Sequence, residues 1–200
     1  FLEMHGVEVL MSRAVDENDP VTDEINECNA FEPDVAISIH NNSGRGDGFE
    51  AYYYYKGGIS KNLAENIEDE VKKIGQNSRG CKTKLGSSGS DYYAFIRETI
   101  CPAVICEGCF IDNETDVKIA DTKEKQKAFG VAYAKGILRT LGISIKENSS
   151  QPESGKEAKY YVQVGAYSSK ENAEKQLQKA KDAGFADAFM HVVAQTNSRT

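Results

Sequence analysis

The sequence predicts an α/β protein with a mixed sheet flanked by helices, and three observations support this fold class. Short apolar runs typical of strands alternate with longer segments of helical periodicity. Residues 35–39 form a nearly continuous apolar run, which indicates a strand covered on both faces. Residues 59–74 repeat apolar side chains at helical spacing, and Gly75 follows as an end signal. Strands interleaved with helices of this length indicate helices packed on a sheet.

The other elements of the first 145 residues follow from the same periodicities. Ile25, Cys28 and Phe31 share one face of a predicted helix. Residues 121–124 have capping-box spacing and begin a helix that ends before Gly142. In chain order, the predicted elements are strand 7–11, helix 22–31, strands 35–39 and 49–55, helix 59–74, strands 93–97 and 103–107, and helix 121–141.

A change in composition divides the chain near residue 146. Residues 146–158 contain Asn, Ser, Gln, Pro, Glu and Gly without apolar periodicity, which is typical of a linker. An alternating run, an amphipathic helix and a second apolar run then follow between residues 161 and 193. We therefore expect a first domain at residues 1–145 and a small second domain, which begins as β-α-β, at residues 159–200.

Composition excludes several classes of protein. The net charge of the 200 residues is −7, which argues against a protein that binds nucleic acid by neutralising phosphates. The apolar runs are too short to span a bilayer, so the sequence predicts no membrane span. Five cysteines are an odd number in a chain too long for a disulfide-stapled miniprotein.

Two polar residues stand at the ends of apolar runs. His40 follows residues 35–39, and Glu107 follows residues 102–106. Ligand sites of open α/β sheets lie at the carboxyl ends of strands, imidazole is a common metal ligand, and a carboxylate in such a place is costly to bury. If both strands end at the same edge of the sheet, His40 and Glu107 share a cleft. The alternatives are a hydrogen-bonded histidine and a salt-bridged or capping glutamate without a functional role.

Cys106 and Cys109 form a C-x-x-C motif around Glu107. A zinc ribbon would need a second such pair, and a redox motif would place the cysteines at the start of a helix. Neither feature is present in the sequence, so burial as small apolar side chains is the favoured interpretation.

Several ordered motifs of residues 1–143 resemble one family, the zinc-dependent N-acetylmuramoyl-L-alanine amidases, which are bacterial cell-wall hydrolases. The motifs are Gly-Val-Glu-Val at 6–9, Asp-Val-Ala-Ile-Ser-Ile-His-Asn-Asn-Ser at 34–43, Gly-Phe-Glu-Ala-Tyr-Tyr at 48–53, Arg-Gly-Cys-Lys at 79–82, Phe-Ile-Arg-Glu-Thr at 95–99, and Pro-Ala-Val-Ile-Cys-Glu-Gly-Cys-Phe-Ile-Asp-Asn at 102–113.

The resemblance implies a role for each candidate residue. His40 is expected to be a zinc (Zn²⁺) ligand, Glu107 the catalytic acid/base, and Asn42 and Arg97 substrate-binding residues. The family's other zinc ligands would precede Phe1. We therefore expect that residues 1–145 lack the domain's first strand and most of its first helix, and that this chain alone is inactive.

Residues 159–193 resemble the sporulation-related repeat (SPOR) domain, which recognises peptidoglycan, through Tyr-Tyr-Val-Gln-Val-Gly-Ala-Tyr at 160–167 and Ala-Gly-Phe at 183–185. This resemblance implies a partial ferredoxin-like module. Together the two resemblances imply hydrolysis of the bond between N-acetylmuramic acid and L-alanine in peptidoglycan, by an extracellular or cell-wall-associated protein. Two alternatives stay open: a non-catalytic peptidoglycan-binding protein with a degenerate amidase domain, and a hydrolase with Cys106 or Cys109 as its nucleophile.

Overall fold

The computed structural model describes residues 1–13, 20–145 and 169–182. It divides the chain into two units, Phe1–Glu147 and Asn148–Thr200. In the second unit the described residues form one helix, Lys170–Asp182, which the sequence predicts. The predicted strands of this unit, its ferredoxin-like topology and the linker lie outside the described residues.

The first unit is built on a mixed sheet, as the sequence predicts, and this sheet has four strands. Its strands are β1 (Ala36–Asn42), β2 (Phe49–Tyr53), β3 (Ser78–Lys82) and β4 (Ala103–Phe110). Their order across the sheet is β1-β4-β2-β3. β4 runs parallel to β1 and antiparallel to β2, and β2 runs parallel to β3.

Helices cover both faces of this sheet. They are α1 (Val21–Phe31), α2 (Ile59–Lys73), α3 (Ala94–Glu98) and α4 (Lys123–Thr140), with 3-10 turns at Glu3–His5 and Asp116–Ile119.

The alternation of side chains along β4 divides the core in two. Val104 and Cys106 belong to a cluster with residues of α2 and α4. Ala103 and Ile105 belong to a second cluster with residues of α1 and α3. Successive side chains of a strand point to opposite faces, so β4 anchors a separate apolar layer on each side.

Most predicted elements are confirmed, with small shifts at their ends. Helices 22–31, 59–74 and 121–141 correspond to α1, α2 and α4, and the Thr122 hydroxyl accepts a hydrogen bond from the Lys125 amide as a cap. Strands 35–39, 49–55 and 103–107 correspond to β1, β2 and β4.

Two expectations were wrong, and one strand was missed. The strand predicted at residues 93–97 is replaced by helix α3 (Ala94–Glu98), which lets the consecutive side chains Phe95 and Ile96 enter the same core cluster. Residues 7–11 form no strand, and Val9, Leu10 and Met11 are exposed. The sequence also missed β3, because Ser-Arg-Gly-Cys-Lys has neither an apolar run nor a clear alternation.

Helices α2 and α4 pack so closely at Gly136 that there is no room for a side chain at this position. A Cβ atom at this position would lie 2.6 Å from Ile67 Cγ1 and 2.7 Å from Ile67 Cα. Because one neighbour is backbone, relief of this overlap would require the helices to move apart.

We predict that Gly136→Ala lowers the free energy of unfolding by about 1–3 kcal/mol, the range for an overpacked core, despite the better helix propensity of alanine. Gly130→Ala is the matched control on the same helix, since a Cβ there meets nothing within 4 Å. Urea denaturation of both variants measures the difference. Equal effects of the two substitutions would contradict the packing account.

Candidate active site

Three titratable side chains form a row across the sheet. In the strand register, His40 of β1 is paired with Glu107 of β4, and Glu107 is paired with Glu50 of β2. Directly opposed residues of neighbouring strands project from the same face, with Cβ atoms about 4.5–5.5 Å apart in an antiparallel pair. The sheet therefore brings His40 and Glu107 together, across 67 residues of sequence.

Glu107 is the half-buried member of this row. Its Oε2 atom is buried and has no hydrogen-bond partner among the described residues. Burial raises the pKa of Glu107, nearby His40 lowers it, and Glu50 raises it, with a net increase. A carboxyl group whose pKa is raised in this way is suited to general acid/base chemistry.

His40 is exposed at the open edge of the sheet, where β1 is the outermost described strand. Its Nε2 atom lies 2.7 Å from the Ser38 hydroxyl, a hydrogen bond that orients the ring. A groove of about 940 Å³ runs along this edge between β1, α1 and α4 and is lined in part by His40. The imidazole is therefore accessible from solvent.

Glu50 is a buried carboxylate held by two cations. Arg79 Nε and Lys82 Nζ both donate to Oε1, the latter at 2.6 Å. Asn42 Nδ2 and the Tyr52 hydroxyl donate to Oε2, each at 3.3 Å. Burial raises the pKa of Glu50, but the hydrogen bonds and charges of Lys82 and Arg79 outweigh it and leave this pKa below its usual value.

Sequence reasoning did not single out Glu50. The signal in the sequence was a charged residue inside a predicted strand, between the apolar residues Phe49 and Ala51. In the structure all three residues are buried. A carboxylate inside a buried strand needs partners, and such groups concentrate at functional sites.

The two predicted substrate-binding residues lie in different places. Asn42 ends β1 and reaches Glu50, so it borders the row. Arg97 lies on α3 and donates through Nη1 to the carbonyl oxygens of Asp91 and Tyr92. The recorded contacts of Arg97 in the described part of the chain include no member of the row, and its role stays a prediction.

The C-x-x-C cysteines are both buried. Cys106 is fully buried, on the face of β4 opposite to Glu107, and Cys109 is 2% exposed. Burial raises the pKa of both thiols, which disfavours the thiolate that a nucleophile or metal ligand requires. These surroundings favour the packing interpretation over a cysteine nucleophile.

The structure is an α/β domain whose mixed sheet brings one histidine and two carboxyl groups together, and comparisons with known proteins give its family. The family model described as N-acetylmuramoyl-L-alanine amidase (Amidase_3) matches residues 1–139, and the SPOR domain model matches residues 156–200. The chain belongs to the N-acetylmuramoyl-L-alanine amidase family, with a SPOR domain after the amidase domain.

Two curated relatives support this assignment. The chain is 31% identical over 185 residues to the N-acetylmuramoyl-L-alanine amidase CwlM of Bacillus licheniformis and, equally, to the sporulation-specific N-acetylmuramoyl-L-alanine amidase of Bacillus subtilis. Each alignment covers 92% of this chain and 67% of the relative.

Solved structures agree with the fold. Cwp6 from Clostridium difficile matches with a TM-score of 0.68 and 34% identity, over 70% of this chain but only 23% of Cwp6. The amidase Ami1 from Mycobacterium smegmatis matches with a TM-score of 0.60 and 26% identity, over 70% of each chain.

Amidase and SPOR domains bind peptidoglycan and are typical of proteins associated with the cell wall. None of the described helices is long and apolar enough to span a membrane.

The family is generally zinc-dependent, and one candidate donor of this chain is accessible. His40 is an accessible imidazole, a suitable donor. However, the described residues contain no group of three His, Cys, Asp or Glu side chains that could hold a metal ion, whereas a zinc site needs three or four protein ligands. The described residues therefore do not complete a zinc site.

We predict that Glu50→Gln destabilises the protein most at neutral pH, by about 1.5 kcal/mol, the lower range for hydrogen bonds to charged groups. The pKa of Glu50 is lowered in the folded state, so its contribution is present above the usual glutamate pKa of about 4.3 and is lost as the pH falls through the lower folded value. Chemical denaturation from pH 3 to pH 7 measures the difference from the unsubstituted chain.

The control for this experiment is Glu65→Gln, which removes an exposed i,i+4 pair with Lys61 at 3.6 Å. Such a pair contributes little, so its effect should be small at every pH. A Glu50→Gln effect that grows towards low pH would contradict the assignment of its charge state.

Proposed function

We propose that the whole protein hydrolyses the amide bond between N-acetylmuramic acid and L-alanine in bacterial peptidoglycan, with Glu107 as the general acid/base. The observation that carries this proposal is the Glu107 carboxyl group, in register with His40, with one buried oxygen that has no hydrogen-bond partner in the described part of the chain. The family assignment supplies the bond that is cleaved.

In this mechanism Glu107, as the carboxylate, takes a proton from the attacking water. The water oxygen bonds to the lactyl carbonyl carbon, and the carbon–nitrogen bond then breaks. Glu107 returns its proton to the departing nitrogen, which leaves as the amine of L-alanine, while the lactyl group leaves as a carboxylate. One group can serve both steps because its raised pKa brings the two protonation states closer in energy near neutral pH.

His40 is proposed as one zinc ligand, as the family resemblance implies, with the other ligands outside the described residues. Asn42, which borders the row, is proposed as a substrate-binding residue. We propose the same role for Arg97, though its contacts in the structure support a part in shaping the loop at 91–92.

The SPOR domain is proposed to hold the protein on the glycan strands of its substrate. The match at residues 156–200 supports this division of work. A wall-binding domain next to a wall-cleaving domain raises the local concentration of substrate, since the second binding event becomes intramolecular.

A non-catalytic peptidoglycan-binding protein is the second candidate. The specific observation in its favour is the lack of a three-ligand group among the described residues. Release of free L-alanine amines from peptidoglycan by the full gene product separates the two, since a binding protein would release none.

We predict that Glu107→Gln in the full gene product reduces hydrolysis by about 10²–10⁴-fold, the usual contribution of general acid/base catalysis. The isosteric amide cannot accept and return the proton, whereas thermal unfolding should show no loss of stability. Glu114→Gln, at an exposed glutamate, is the control and should keep its activity. Retained activity in Glu107→Gln would refute the acid/base assignment.

We also predict that the 200-residue chain, after dialysis against zinc-free buffer, retains well below one zinc ion per molecule. A single imidazole among the described residues holds zinc weakly compared with a three-ligand site. Elemental analysis of the chain and of His40→Ala measures this. One zinc ion per chain, lost in His40→Ala, would contradict the prediction and direct the search for further donors to Cys106, Cys109 and His5.

A further inference from the structure

Two cations converge on one carboxylate oxygen next to the proposed acid/base. Arg79 and Lys82, both from β3, contact Oε1 of Glu50, whose side chain is 5% exposed. The two cations are themselves open to solvent, with side-chain exposures of 46% and 35%. The buried carboxylate of Glu50 thus holds both cations in place, and a ligand can approach them from the solvent side.

The charges of this group do not cancel. One carboxylate, Glu50, faces two cations, so the group carries an excess positive charge in a chain whose net charge is −7. The other oxygen of Glu50 faces neutral donors, the Asn42 amide and the Tyr52 hydroxyl. A partly exposed, positively charged group in an acidic protein favours an anionic ligand.

The guanidinium group of Arg79 is also held in place, and some of its N–H donors remain available for a ligand. It lies 5.5 Å from the centre of the Phe110 ring, and Nε donates to Glu50. Among the described residues no hydrogen bond engages its Nη atoms, although guanidinium has five N–H donors. Arginine held this way loses little conformational freedom when it binds a carboxylate.

The spacing fits a position along the peptide stem. The row runs from His40 through Glu107 to Glu50, with the cations of β3 beyond. Neighbouring strands lie about 4.8 Å apart, and two extended peptide residues span about 7 Å. Arg79 Nε and Lys82 Nζ both contact Oε1 of Glu50 on β2, so the two cationic groups lie about one strand spacing from Glu107. A stem that leaves the scissile amide at Glu107 in the direction of β2 brings the carboxylate of its second residue within reach of both cations.

We propose that Arg79 and Lys82 form a subsite for the carboxylate of the stem residue that follows L-alanine, an inference that rests on the proposed function. Its consequence is selectivity: stems with a free carboxylate at this position bind better than stems in which it is an amide. Glu50 is then a positioning residue, which holds the cations and offsets part of their charge.

The test compares two ligands that differ in one group, N-acetylmuramoyl-L-alanyl-D-glutamate with its γ-carboxyl group blocked as a methylamide, and the same compound with an α-carboxamide. Calorimetric titration of each into the 200-residue chain gives the two dissociation constants, so the measurement does not depend on hydrolysis. We expect the carboxylate form to bind about tenfold more tightly, the scale of one charge-assisted hydrogen bond. Arg79→Gln and Lys82→Gln should each reduce this preference.

Glu50→Gln gives a readout that a purely structural role for the cations would not produce. With its anion removed, the pair carries two uncompensated charges, so the preference for the carboxylate form should increase. The variant with all three substitutions, Glu50→Gln, Arg79→Gln and Lys82→Gln, has no charge in the group and should show no preference. Thermal unfolding of each variant confirms that it is folded.

Lys84→Gln is the matched control, because Lys84 is a nearby lysine whose Nζ lies 3.9 Å from the centre of the Tyr92 ring and is not bonded to Glu50. It should leave the preference unchanged. Equal affinity of the unsubstituted chain for both ligands, no binding of either, or an equal effect of Lys84→Gln and Lys82→Gln would overturn the subsite. A carboxylate preference in a protein whose full gene product does not hydrolyse peptidoglycan would keep the subsite and refute the proposed function.

Discussion

The pairing of β4 with a strand on each side is the constraint on which the rest of the unit depends. β4 supplies alternate side chains to two apolar clusters, and seven of its eight residues are buried. Glu107 is the exception. Because both cores fix the register of β4, the position of Glu107 relative to its neighbours on β1 and β2 is fixed as well. A slip of one residue would place Glu107 in the core and Cys106 in the row, so the register that folds the protein is also the one that builds the site.

The row also shows how two carboxylates can stand side by side in a sheet. Like charges directly opposite each other are unfavourable in an antiparallel pair. Here the two groups are separated in their proton affinity, since cations lower the pKa of Glu50 while burial raises that of Glu107. Opposed shifts of this kind allow one carboxylate to stay ionised as a structural anchor while its neighbour exchanges protons.

Elements with a regular pattern of apolar residues could be predicted from the sequence. Elements whose conformation depends on strand pairing or on packing against distant residues could not. Helices α2 and α4 were evident because their apolar residues recur on one face, and β1 and β4 because each contains a nearly continuous apolar run. Only β4 is buried on both faces, since β1 is the outermost described strand and Ile39 is exposed. The same reasoning pointed to His40 and Glu107, since a polar residue at the end of an apolar run is conspicuous. β3 was missed because it is a strand only through its pairing with β2. Residues 94–97 were wrongly predicted as part of a strand, because their helical form is stabilised by packing of the adjacent Phe95 and Ile96 in one core cluster. Arg79, Lys82 and Glu50 could not be joined from sequence for the same reason.

The central claim is that the register places Glu107 in surroundings that favour its protonated form. Its most direct test is an NMR pH titration of the Glu107 carboxyl group in the 200-residue chain, with Glu107→Gln to assign the signal and Glu50→Gln to vary its neighbour. The account predicts a midpoint above the usual glutamate value of about 4.3, and a lower midpoint in Glu50→Gln because a neighbouring negative charge has been removed. A midpoint at or below the usual value, unchanged by Glu50→Gln, would contradict it.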